Sequence, residues 1–326
     1  MMEATGFDSR TIRGLVLAGG DGTRLQPYIQ EVKGEKLPKQ FVNFVGKHSM
    51  VEQTFRRVER LIPADQILTV ITRQHLLHPE VHRQLARRRS ETVVVQPSNK
   101  ETGPGILLPL AFIYKRLPEA IVALFPSDHF ILQEERFMSY VTLAIQAVKH
   151  DPSQIILLAI EPHKPEPEYG YILPCENSGS AYRFGTRPVS GFVEKPRPEI
   201  AVELVMAGAL WNTMTMVFKL RTLWELVQRV HPALYAHFHR ILEAIGTAEE
   251  QRTVNDVYDG LEPVNFSKEI TEKIADRHPK SIAVLPVRDV FWSDLGSRER
   301  VLQVVRRLDR HSAEEIHAVT PCMQCL

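Results

Sequence analysis

Surplus charge of one sign is what the chain has least of: 40 Lys and Arg stand against 39 Asp and Glu, a formal net charge of +1 over 326 residues. No global field draws in nucleic acid or an anionic membrane, so an anionic ligand must be held by locally placed groups. Cysteine is scarce as well. Cys175, Cys322 and Cys325 are too few and too unevenly placed for a disulfide framework, which fits a reducing cytoplasm. Cys322 and Cys325 form a lone CxxC in a short tail with no second pair, so neither a zinc nor a redox site is expected there. No apolar run is long enough to cross a bilayer. Residues Met1 to Arg13 mix Glu3, Asp8, Ser9 and Arg10 and lack the apolar stretch of a secretory signal. Internal repeats and low-complexity tracts are missing too. The expectation is a cytoplasmic protein with no nucleic-acid or membrane partner.

Core material is plentiful. Hydrophobic residues make up 44% and charged residues 24%, the balance of a folding globular chain rather than a disordered one. The length exceeds the size at which one core usually stops growing, which leaves one large α/β domain with an appended segment, or two domains.

Short apolar runs alternate with helical patterns through the first half, the signature of βαβ units and a mostly parallel sheet. Strands are predicted at Gly14 to Ala18, Ile67 to Thr72, Thr92 to Gln96, Ile121 to Phe125 and Ile155 to Ile160, each continuous and apolar as for strands covered on both faces. Helices are predicted at Met50 to Leu61, Leu76 to Arg89, Gly105 to Leu117 and Glu134 to Lys149. After Ile160 the texture changes, because Pro162, Pro165, Pro167 and Pro174 favour loops and edge strands. Further strands are expected at Tyr169 to Leu173, Val189 to Val193, Met214 to Phe218 and Ile282 to Val287. Helices are expected at Glu199 to Met206, Arg221 to Val230, Ala233 to Ile245 and Arg298 to Leu308.

The strongest local signal is Leu17-Ala18-Gly19-Gly20-Asp21-Gly22-Thr23-Arg24-Leu25, a Gly-rich turn directly after a buried strand. Backbone N–H groups approach a phosphate closely only where no Cβ intervenes and positive φ is permitted, and Arg24 adds a fixed charge. A dinucleotide-binding reading fails, since Leu25 replaces the third glycine and Pro27 is expected to interrupt the following helix. A P-loop reading fails because no Gly-Lys-Ser/Thr follows. Lys39, in Pro38-Lys39-Gln40, reads as a phosphate ligand or as a surface lysine. Asp128, in Pro126-Ser127-Asp128-His129, lies at the carboxyl end of a strand, where open α/β sheets place ligands, and reads as a magnesium ligand or as a helix cap. In Phe192-Val193-Glu194-Lys195-Pro196, Lys195 offers a second phosphate charge and Glu194 a sugar-hydroxyl acceptor. In Phe291-Trp292-Ser293-Asp294-Leu295-Gly296, Asp294 offers a second carboxylate. His75, His78 and His82 have metal-like spacing, but Pro79 breaks the helix that would gather them.

In order, LAGGDGTRL, PKQF, QPSNKETGPGILL, FPSDHFI, EYGYI, FVEKP, WNTMTMVF and FWSDLGS resemble the sugar-1-phosphate nucleotidyltransferases, and within them the mannose-1-phosphate guanylyltransferases, from about Arg13 to Arg307. The resemblance implies a GT-A-like (Rossmann-like) α/β fold, a mostly parallel sheet flanked by helices with a smaller sugar-binding segment. It implies an N-terminal tail at 1–12, a nucleotide-binding half at 13–160, a sugar-phosphate-binding half of the same catalytic domain at 161–310 and a C-terminal tail at 311–326. Residues Leu17, Gly19, Gly20, Gly22 and Thr23 would line the nucleotide, with Arg24 and Lys39 on its phosphates and Gln96 and Asn99 near the base. Gly170, Asn212, Glu194 and Lys195 would hold the sugar phosphate, and Asp128 and Asp294 a Mg2+ ion.

The implied reaction transfers GMP from GTP to mannose 1-phosphate, giving GDP-mannose and pyrophosphate. Thymidylyl or adenylyl transfer to glucose 1-phosphate, and a non-catalytic nucleotide-sugar sensor, remain open. A homodimer is compatible with this reading, and no additional isomerase domain of ordinary size is expected within the 326 residues. Departures from the family pattern are about four extra residues around Glu31 to Glu35, expected to lengthen a lid over the triphosphate, and Met214 where glycine is usual. Gly103 and Gly105 stand where alanines are usual, Lys100 where an arginine is usual, and Arg298 where a tryptophan often stands.

Overall fold

The computed structural model describes residues 11–175 and 183–319, with side chains of the last helix as far as Leu308. The strands are β1 (Ile12–Leu17), β2 (Ile67–Thr72), β3 (Val93–Gln96), β4 (Ile121–Pro126), β5 (Phe130–Ile131), β6 (Ile155–Ile160), β7 (Gly170–Pro174), β8 (Arg187–Glu194), β9 (Leu210–Lys219), β10 (Ile282–Val287) and β11 (Trp292–Ser293). Among the described residues, nine of them form one sheet in the order β3-β2-β1-β4-β9-β6-β10-β8-β7, and β5 pairs with β11 beside it. The first half is parallel throughout, β3 to β2 to β1 to β4. The second half is mixed: β6 and β10 are parallel, while β8 and β7 join antiparallel.

One strand joins the halves. β9 lies antiparallel between β4 and β6, so β1, β4, β6 and β10 all run the same way and end at one edge. The two halves expected on either side of residue 160 therefore share a sheet.

Successive strand residues point to opposite faces, and both faces are covered. Val16, Ala123, Phe125, Ile156 and Leu158 enter one core with Met50, Phe137, Val141 and Trp211. Leu15, Val122, Leu124, Leu157 and Ala159 enter the other with Ile106, Leu110, Trp224, Phe238 and Tyr258. The helix Met50–Val58 starts on a capping box between Ser49 and Glu52. Glu134–His150 carries Glu134 and Glu135 in its first turn and Lys149 and His150 in its last, matching the helix dipole.

One expectation about proline needs correction. Pro27 does not interrupt a helix; it occupies the first turn of Gln26–Lys33, where a missing N–H costs nothing. Pro79 does separate the histidines: the helix expected from Leu76 to Arg89 runs only Pro79–Leu85, after a 3-10 turn at Arg73–Leu77, and leaves His75 and His78 outside it. The residues around Glu31 to Glu35 form the end of the Gln26–Lys33 helix and its left-handed cap Gly34 rather than a free loop. The last helix runs Arg298–Val319, past the expected end at Leu308 and into the expected tail. Cys322 and Cys325 lie outside the described residues.

Candidate active site

The Gly-rich turn leaves the end of β1, and its glycines have different reasons to be there. Gly22 has φ 59°, and a Cβ on it would stand 2.7 Å from Lys39 Cβ. Gly19 is packed against the amide of Gln96, and nothing lies within 4 Å of the place a Cβ would take on Gly20. Gln40 fastens the turn from beneath, its Nε2 donating to the carbonyls of Ala18 at 2.7 Å and Gly20 at 2.9 Å.

Lys39 is buried, yet its ammonium reaches the cleft at the carboxyl edge. It sits 2.7 Å from Asp128 Oδ2 and donates to the carbonyl of Asp294 at 2.7 Å. One cation thus ties the turn after β4 to the turn after β11. Burial pushes the Asp128 carboxyl up, but Lys39, with His129 beside it, outweighs this and holds it below the usual carboxylate range. Burial lowers the His129 imidazole; its Nδ1 accepts from Trp292 Nε1 at 3.2 Å, which fits a neutral ring.

Asp294 is gripped from several sides. Its Oδ1 accepts from Tyr169 Oη at 2.9 Å and from the Gly296 amide at 3.0 Å, and lies 2.8 Å from Arg300 Nε. The nearly buried Arg300 also reaches Glu166 at 3.3 Å and Glu168 at 2.8 Å, and Glu168 pairs with the half-exposed Arg24 at 2.5 Å. Burial would lower the Arg300 guanidinium, and its acidic partners more than offset this.

At the far end, Gly170 lies so close to Glu194 that a Cβ would stand 2.6 Å from Oε2. Burial, together with Glu272 and Glu101, raises the Glu194 carboxyl despite the opposing charge of Lys195. Lys195 is half exposed, its Nζ 3.8 Å from Glu194 Oε1, and its backbone has φ 49°. Asn212 is buried, its Oδ1 accepting from the Met214 amide at 3.0 Å.

Leu17, Gly20, Gly22, Thr23, Arg24, Lys39, Asp128, Gly170, Glu194, Lys195, Asn212 and Asp294 all line one cleft of about 390 Å³. Residues 13–310 match the nucleotidyl transferase family. The chain belongs to that family. Among similar proteins, the xanthan biosynthesis protein XanB of Xanthomonas campestris pv. campestris is 27% identical over 89% of this chain and 58% of its own length. A mannose-1-phosphate guanylyltransferase of Escherichia coli is 25% identical over 89% of this chain and 59% of its own. The chain thus spans under three fifths of the length of these curated relatives. A crystal structure of a mannose-1-phosphate geranyltransferase from Thermus thermophilus superposes with a TM-score of 0.72 at 28% identity, covering 88% of this chain and 76% of that one.

Gly19, Gln96 and Asn99 are not on the cleft wall. Gln96 is buried behind Gly19 and accepts from Tyr258 Oη at 3.1 Å, while Asn99 donates to Asp21 of the Gly-rich turn at 2.8 Å. His75 is buried with Nε2 3.5 Å from Asp21 Oδ1, and His82 Nε2 lies 2.7 Å from the Leu76 carbonyl, so the histidines serve separate local contacts. Gly103 is required, because a Cβ would meet the Val264 carbonyl at 2.7 Å; Gly105 has room for alanine, with 3.7 Å to Gln96. Arg298 pairs with Glu31 at 3.3 Å.

Several contributors were not picked out from sequence. Glu168 and Tyr169 stand in the same EYGYI segment as Gly170, His129 beside Asp128, and Trp292 beside Asp294, so adjacency was the available signal. Arg300, Ser267 and Asn265 gave none. No helix among the described residues is long and apolar enough to cross a membrane.

Proposed function

We propose that the chain transfers a nucleotidyl group, GMP from GTP, to mannose 1-phosphate, giving GDP-mannose and pyrophosphate. The observation that carries this is the gathering in one cleft of two cationic ends, Arg24 and Lys39 beside the Gly-rich turn and Lys195 beside Glu194. Two phosphate-bearing ligands meeting head to head would need such an arrangement. The family resemblance of QPSNKETGP and PSDHFI, and the names of the relatives, support guanine and mannose.

A phosphate oxygen of the sugar phosphate attacks the nucleotide α-phosphorus in line. One P–O bond forms as the bond to pyrophosphate breaks, with no covalent enzyme intermediate. The attacking phosphate is already ionised near neutral pH, so positioning and charge neutralisation suffice without a strong general base. Lys39 and Arg24 neutralise the nucleotide phosphates, and Lys195 fixes the sugar phosphate.

Asp128 and Asp294 suit magnesium in donor type, being hard carboxylate oxygens. Asp128 is one-third exposed to the cleft (34%), and Asp294 Oδ2 lies 3.3 Å from Arg300 Nη2. These two residues would hold the ion, which when bound adds positive charge at the triphosphate. EDTA should abolish turnover and added magnesium restore it.

The test is pyrophosphate release across GTP, ATP, UTP and dTTP with mannose and glucose 1-phosphates. GTP with mannose 1-phosphate should be best. Equal or better turnover with another nucleotide overturns the guanine assignment, and no release with any pair favours a binding-only role.

A further inference from the structure

Inside β9 the ladder to β6 slips: Leu157 faces Met216, but Ala159 faces Asn212, so β9 carries extra residues at Thr213 to Thr215. Such a bulge re-aims side chains. Thr213 pins it by donating from Oγ1 to the Leu158 carbonyl at 2.7 Å, and Asn212 Oδ1 takes the Met214 amide. Met214, at the apex, has φ 56°, a left-handed backbone that a side chain disfavours. Its side chain lines the cleft, where Sδ accepts from Ser267 Oγ at 3.0 Å.

Ser267 also faces Glu194, the residue before Lys195. The thioether therefore stands near the Glu194–Lys195 end rather than the Gly-rich turn. If Lys195 holds the sugar phosphate, the ring bonded to that phosphate lies within reach of Met214.

We propose that Met214 is a specificity-determining residue that narrows the sugar end of the cleft, admitting a sugar 1-phosphate whose ring carries only hydroxyl groups and excluding one that carries a bulkier acetamido group. The inference rests on the sugar-phosphate reading of the cleft. A flexible apolar side chain offers an acetamido group neither room nor a hydrogen-bond partner, whereas a hydroxyl can turn to Asn212 or Glu194.

The experiment compares the wild type with Met214→Ala and Met214→Gly, measuring kcat/KM for mannose 1-phosphate and for N-acetylmannosamine 1-phosphate, which differ only in hydroxyl against acetamido. Both variants should raise the N-acetylmannosamine-to-mannose ratio by roughly tenfold or more, the scale of discrimination by apolar volume. Alanine removes the wall but keeps the disfavoured backbone, so the glycine variant should also melt higher than the alanine variant, by roughly 1–3 °C. An unchanged ratio in both variants, with a wild type active on mannose 1-phosphate, overturns the role of Met214 alone. A wild type that releases no pyrophosphate with any sugar phosphate overturns the underlying reading and this inference with it.

Discussion

The turn after β1 and the turns of the second half solve the same geometric problem in opposite ways. After β1 the left-handed position falls on Gly22; in the second half it falls on Lys195, Met214 and Leu295. Glycine adopts that backbone without strain, while a residue with a Cβ holds it at a cost of about 1–2 kcal/mol. The carboxylates differ in the same direction. Asp128 is held ionised by Lys39, whereas Glu194 is buried among other acids that push it toward its neutral form. The Gly-rich turn clears space around a ligand, while the turns at Lys195, Met214 and Leu295 spend stability to aim particular side chains, as Glu101 with φ 69° does in the first half.

The largest effect should come from breaking the electrostatic end. Lys39→Ala and Asp128→Asn should each lower turnover by roughly two orders of magnitude or more, as for other groups aimed at developing charge. Steady-state pyrophosphate release at saturating magnesium reads this, and near-normal rates in both variants would remove the first half from catalysis.

Lys195→Ala comes next, since the lost charge-assisted contact is one partner of one phosphate. The Michaelis constant for sugar 1-phosphate should rise by about tenfold or more, while nucleotide affinity by calorimetry changes little. The opposite pattern would exchange the roles of the two ends.

A third contrast lies within the Gly-rich turn. Gly22→Ala combines a positive φ with a Cβ 2.7 Å from Lys39 Cβ, whereas the same change at Gly20 meets nothing within 4 Å. Denaturant unfolding should show the first losing about 1–3 kcal/mol and the second nearly none. Equal losses would mean that crowding and φ do not distinguish the two glycines.

The smallest effect concerns pH. Asp128 is lowered in the folded protein, so its contribution is present above the unfolded carboxyl pKa and is lost as pH falls through the folded one. Glu194 is raised, so its contribution is present below the unfolded pKa and is lost as pH rises through the folded one. The melting temperature of wild type minus Asp128→Asn should therefore climb between about pH 3 and 5, while wild type minus Glu194→Gln falls above about pH 4. Slopes of the same sign would contradict the distinction between the two carboxylates.

Legibility in the sequence was uneven across both halves. β2, β6 and β10 fall where their apolar runs predict, because a strand buried on both faces needs a continuous run, and Ile67–Thr72, Ile155–Ile160 and Ile282–Val287 supply one. β9 was read as Met214 to Phe218 but extends to Leu210–Lys219, since its bulge interrupts the pattern at Asn212 and Thr213. The short pairing of β5 with β11 joins segments far apart in sequence, and two-residue strands carry no periodicity. Glu250–Gly260 was not anticipated either. In the site, motif residues such as Lys39 and Asp128 could be named from sequence, but the contact between them could not. Arg300 was hidden because its value depends on Asp294, Glu166 and Glu168 arriving from different elements.

The position of β9 has a mechanical consequence. A strand hydrogen-bonded to β4 on one side and β6 on the other acts as a rivet: the halves cannot swing apart like jaws without tearing one of its ladders. Ligand entry then falls to the surface turns that carry Arg24, Glu168 and Lys195, while the sheet beneath stays clamped. Amide exchange along Met216–Phe218 should accordingly remain among the slowest in the protein whether or not nucleotide is bound, and acceleration there in the ligand-free protein would mean that the halves do hinge.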